Sequence, residues 1–86
     1  MQLEEYIKYL EAAGYNVSVR YDTILDAIMV IVRRANYQIS GYIYNRNILN
    51  LPENERNTII FDFVKEKVKE LDAQINDFLE ETFYKK

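Results

Sequence analysis

The chain has 86 residues, 49% of them hydrophobic, with eight Tyr, four Phe and a net charge of −3. That is enough apolar material for one small packed domain, residues 1–86, burying roughly 60–65% of its unfolded surface. It contains no Cys and no His, which excludes disulfides, thiolate metal sites and any Ser-His or Cys-His dyad.

Charge is unevenly placed. The five basic and five acidic side chains of residues 1–51 cancel, whereas residues 52–86 hold six basic and nine acidic ones. The composition therefore offers no basic patch of the usual nucleic-acid-binding kind. The opening Met1-Gln2-Leu3-Glu4-Glu5 is acidic and lacks the basic and apolar regions of a signal peptide. The longest apolar run, Ala27 to Val32, is too short to cross a bilayer. A cytoplasmic protein is the expectation.

Residues 2–13 read as a short amphipathic helix. Leu3, Tyr6, Ile7 and Leu10 recur at three-four spacing, and Glu4, Glu5, Lys8 and Glu11 fill the other side. Gly14 is placed to end it in the left-handed conformation. From Tyr15 to Tyr21 the chain alternates, with Tyr15, Val17, Val19 and Tyr21 on one face, as in a half-buried edge strand. Asp22-Thr23 begins a turn. Ile24-Leu25 is ambiguous, because Asp22 could also cap a helical turn there.

Residues 27–33 are apolar on both faces and β-branched, which predicts the central strand. Arg34-Ala35-Asn36 is a short hairpin connector. Residues 37–45 form a third strand with Tyr37, Ile39 and Ile43 toward the core. Gly41 lies on that same side, where it can admit a helix side chain. Asn45-Arg46-Asn47 is a loop, pinned by Ile48, Leu49 and Leu51.

The last helix is predicted over residues 51–83. Asn50 stands as its cap, three residues before Glu53, with Pro52 in the first turn. Apolar residues at Phe61, Val64, Val68, Leu71, Ile75 and Phe78 alternate steps of three and four. Such a helix would be about 50 Å long, against a diameter of about 30 Å for a compact globule of this length. It must overhang, bend or meet a second chain. The expected fold class is α+β, in the order α-β-β-β-α around a three-stranded antiparallel sheet. The expected dimer surface is Leu71, Ile75, Phe78, Leu79 and Phe83.

Two constellations are candidates for binding. Asp62, Glu66, Glu70, Asp77 and Glu81 step by four, four, seven and four, so they share one helix face. Such a ladder can imitate a nucleic-acid backbone in a partner's basic groove. The plainer reading is a solvated helix face, partly balanced by Lys65, Lys67 and Lys69. Met29, Ile31, Tyr42 and Tyr44 share the back of the sheet, flanked by Arg20 and Arg33. With both helices on the other face they form an exposed patch of interface-type residues. With one helix on each face they are core. Base stacking on Tyr42 and Tyr44 is a third option. No calcium-binding loop, Gly-rich loop or nucleophile elbow is present, so neither metal, cofactor nor enzymatic activity is expected.

The α-β-β-β-α order resembles the small phage-encoded anti-CRISPR inhibitors of Cas9. The residues that carry the resemblance are Leu3 and Ile7, Tyr15-x-Val17-x-Val19, Ile28 to Val32 and Tyr37-Gln38-Ile39-Ser40, within roughly the first 45 residues. In that family acidic side chains imitate DNA and occupy the site that reads the PAM. The resemblance implies a small non-enzymatic phage or mobile-element protein that inhibits a nucleic-acid-handling effector. Glu66, Glu70, Asp77 and Glu81 would supply the charge, and Tyr42 and Tyr44 the anchors. The alternative is a structural or regulatory homodimer built on the last helix, without nucleic-acid mimicry.

Overall fold

The computed structural model describes residues 2–84, with side chains through Thr82. The order is α1 (Leu3–Ala12), β1 (Asn16–Asp22), β2 (Ala27–Arg34), β3 (Tyr37–Tyr44), a 3-10 turn (Asn45–Asn47) and α2 (Glu53–Leu79). A π-helical turn, Glu80–Tyr84, continues α2. The expected α+β, α-β-β-β-α architecture is the one found.

Helix α1 stops where the sequence asks it to. Gly14 takes φ +98°, the Tyr15 N–H donates to the Leu10 carbonyl (2.9 Å) and the Gly14 N–H to Glu11 (3.1 Å). That pair of bonds satisfies carbonyls left open at the helix end and turns the chain into β1. At the start of α2 the expected Asn50 cap is not made. Pro52 is the residue before the first helical turn, and no side chain caps it. Its carbonyl instead accepts from Glu55 and Arg56 (3.1 and 3.0 Å). The proline ring fixes φ at −59° and so sets the entry angle, leaving Asn50 a turn short of the helix.

The strands form an antiparallel meander, β1-β2-β3, with β2 central. Register sorts the side chains into two sets. Val17, Val32 and Ile39 lie abreast, as do Val19, Val30 and Gly41, and then Tyr21, Ile28 and Ile43. These rows face the helices. Val30 and Val32 are fully buried against Val64 and Leu71 of α2, with Leu10 of α1 beside them. Gly41 is favoured by contact: a Cβ there would stand 2.8 Å from Phe63 Cζ and from Lys67 Cε, and one or both would have to shift. The missing side chain lets α2 lie close over β3, as the sequence anticipates.

Both helices pack on this one face, α1 over β1 and α2 over β2 and β3. Helix α2 runs the length of the domain and gives it extents of 52 × 27 × 16 Å. At its far end a polar knot ties three elements together. The Tyr15 hydroxyl donates to Asp72 Oδ1 (2.6 Å), and Arg34 donates to the Tyr15 hydroxyl oxygen (3.1 Å). The Arg34 guanidinium also lies 3.5 Å from Asp72 and over the Tyr15 ring. Burial first, and the Asp72 hydrogen bond second, hold the Tyr15 phenol above its ordinary pKa of 10.0.

Candidate protein-docking surfaces

The carboxylate ladder is where helical spacing puts it. The buried residues Ile60, Val64, Val68 and Leu71 take the inner face of α2, so Asp62, Glu66, Glu70, Asp77 and Glu81 fall on the outer one, and all five are exposed. Lys67 reaches Glu70 (3.0 Å), and Lys65 folds over the Phe61 ring (5.5 Å). Asp72, off the ladder, is matched by Arg34. Among the described residues no ion pair neutralises Glu66, Asp77 or Glu81. The outer face is therefore acidic on balance, with Lys65 and Lys69 exposed beside the carboxylates.

The back of the sheet is open. No helix covers it, because both lie on the other side. Row by row it carries Asn16, Arg33 and Gln38; Ser18, Ile31 and Ser40; Arg20, Met29 and Tyr42; and Asp22, Ala27 and Tyr44. Tyr42 and Tyr44 are 38% and 40% exposed. Arg33 is held by Gln38 (2.7 Å), and the Arg46 guanidinium lies 5.2 Å from the Tyr44 ring centre. Of the two arrangements the sequence left open, the exposed one is found.

The ladder and the tyrosines do not share a surface. The tyrosines stand on the far side of the sheet from α2, and the carboxylates point away from the sheet. One flat contact cannot engage both sets. Their expected partnership as one binding site is thus divided by the fold into two opposite surfaces.

The expected dimer surface changes more. Leu71 is 0% exposed and sits in the domain's own core, so it offers nothing to a second chain. Ile75 packs against the same core. Phe78 leans on Tyr37, with ring centres 5.7 Å apart, and stays half exposed, as does Leu79. The side chain of Phe83 lies outside the described residues. The heptad pattern is real, but its first half seals the sheet and its second half is partly used by β3.

The apolar feature the sequence left undecided lies at the opposite end. The β1–β2 loop, Thr23–Asp26, exposes Ile24 to 93% and Leu25 to 43%. The loop is well braced. Asp22 Oδ1 accepts from the backbone N–H groups of Ile24 (2.9 Å) and Leu25 (3.1 Å), and the Tyr21 hydroxyl donates to Asp26. The Asp26 carbonyl accepts from Asn45 (2.9 Å), which joins the loop to the segment carrying Arg46 and Leu49; Ile48 and Leu51 pin that segment to the core, but Leu49, expected to do so too, is exposed. The signal was the Asp-x-Ile-Leu-Asp pattern, in which an Asx turn competes with a helix cap.

At the same end, the first turns of α1 and α2 enclose an open cleft of about 620 Å³. Leu3 and Phe61 supply its apolar lining, Glu4 and Asp62 its carboxylates, Asn54 and Asn57 its amides. Among the described residues no group of three carboxylates is placed to hold a metal ion, and no helix is long and apolar enough to cross a membrane. No protein-family model matches the chain, and neither the curated proteins nor the solved structures gave a significant match.

Proposed function

We propose that this chain is a small non-enzymatic phage or mobile-element protein that inhibits a nucleic-acid-handling effector. It acts in the host cytoplasm, in the anti-CRISPR manner, by laying an acidic helix in the effector's nucleic-acid groove. The observation that carries the reading is the outer face of α2. Glu66, Glu70, Asp77 and Glu81 are exposed along one side of a helix of 27 residues. A cationic groove built for a phosphate backbone would accept such a ladder by exchanging its counterions for fixed carboxylates. The reading uses the helix alone, since Tyr42 and Tyr44 face the other way.

The test is inhibition of target cleavage by a guide-loaded Cas9-type nuclease, measured at low and at high salt. Inhibition should weaken steeply as salt rises, because exposed charge pairs are screened. It should be lost in the Glu70→Lys, Asp77→Lys double variant. Inhibition indifferent to both changes would show that charge mimicry is wrong.

A further inference from the structure

The back of the sheet gathers cations on a chain whose net charge is −3. Arg33 lies in its first row, Arg20 stands abreast of Met29 and Tyr42, and Arg46 lies over the Tyr44 ring at the far end. Against these three guanidiniums the strands place one carboxylate on this face, Asp22, and its Oδ1 is taken up by the Ile24 and Leu25 N–H groups. Arg33 donates to a neutral amide, that of Gln38, and so keeps its charge. Asp26 turns to Tyr21, which belongs to the covered rows. The carboxylate ladder lies beyond α2, and the width of that helix alone, about 10 Å, exceeds the reach of charge at physiological salt, about 8 Å. The face is therefore locally cationic, and its complement is an anion.

The cations bracket two exposed aromatic rings. Tyr42 and Tyr44 are two residues apart on β3, so they share the face at a spacing of about 7 Å. That is twice the step of about 3.4 Å between neighbouring bases of a duplex strand. Bases seated on both rings belong to a strand whose own stack has been opened. A track along β3 runs from Arg46 over Tyr44 and Tyr42 to Ser40, then to Gln38 with Arg33 beside it. It meets a cation at each end and has Arg20 across the sheet at its middle. Between the rings and Arg33 the track is uncharged but able to hydrogen-bond, through the Ser40 hydroxyl and the Gln38 amide.

We propose that the open face of the sheet binds single-stranded RNA. Successive bases stack on Tyr44 and Tyr42, phosphates meet Arg46, Arg20 and Arg33, and Ser40 and Gln38 bond the 2′-hydroxyls. That last contact is what DNA lacks. The site tolerates any sequence, because every base has a face to stack. It refuses a duplex, whose bases are already stacked on each other. Glu66, Glu70, Asp77 and Glu81 lie on the opposite side of the molecule, so the inference holds or fails independently of the inhibitor reading.

Fluorescence anisotropy of a labelled oligouridylate of about ten nucleotides, titrated with the full chain, tests this. The wild type should bind, and log K should fall by about 2 for each tenfold rise in salt, from three phosphate contacts at about 0.7 each. Arg20→Gln should reduce that slope by about 0.7. Tyr42→Ser with Tyr44→Ser, its folding checked by circular dichroism, should weaken binding by at least about tenfold and leave the slope unchanged, which separates stacking from charge. The deoxyuridine strand of the same length should bind more weakly, and duplex RNA more weakly still. A wild type that leaves the anisotropy unchanged at low salt would overturn the proposal. So would a folded tyrosine variant that binds as the wild type does, or DNA or duplex RNA bound as tightly as the single strand.

Discussion

The two faces of the sheet are made by the same three strands, yet they do opposite things. The covered face sets Val30 and Val32 against Val64 and Leu71 with no solvent exposure. The open face sets Met29 between Arg20 and Tyr42, and Ile31 between two serines. Because strand side chains alternate, neighbouring residues of β2 belong to different tasks. Stability is concentrated in one set, while the surfaces available to partners are drawn from the other and from the outside of α2. Variants should therefore divide into those that unfold the protein and those that leave it folded.

The largest effect is expected inside. Leu71→Ala removes a fully buried side chain and should cost about 2–5 kcal/mol, through lost burial and the cavity left behind. Urea denaturation measures it directly. Gly41→Ala attacks the same face from the strand side. Its Cβ would meet Phe63 and Lys67 at 2.8 Å, and both are side-chain ends that can swing aside, so a cost of about 1–3 kcal/mol is expected. Thermal unfolding should show the loss.

Tyr15→Phe should cost about 1 kcal/mol, since Asp72 keeps Arg34 when the hydroxyl is gone. It should also change the alkaline limb of stability. The Tyr15 phenol is raised above 10.0 in the fold. Its contribution is complete below the unfolded value and is lost as pH rises through the folded one. A stability profile falling above pH 10 in the wild type should fall less in the variant. On the open face, Tyr42→Ser with Tyr44→Ser should move the unfolding midpoint little, because neither side chain is in the core. A large loss there would mean that the two faces are not separate.

Much of this division was legible in the chain. The alternation at Tyr15 to Tyr21 and the position of Gly41 gave the correct inner face, and Gly14 gave the end of α1. What the sequence left open was which faces would be covered, because that depends on where the helices dock. Periodicity marks Leu71 as apolar; it does not say whether the covering surface is the domain's own sheet or another chain. The same limit applies to Ile24, whose exposure follows from hydrogen bonds to Asp22 in a loop that a helical turn could have replaced. Proline overrode the capping pattern at Asn50 by fixing the backbone two residues later.

On the proposed inhibitor reading, an effector meets the outside of α2 and not the back of the sheet. The most direct measurement compares two double variants in one nuclease-inhibition titration, with folding checked by circular dichroism. Glu70→Lys with Asp77→Lys should abolish inhibition, and Tyr42→Ser with Tyr44→Ser should leave it within about twofold of wild type, less than 0.5 kcal/mol. Inhibition that survives the carboxylate reversals but disappears with the tyrosines would contradict binding through α2 and move the binding surface to the open face.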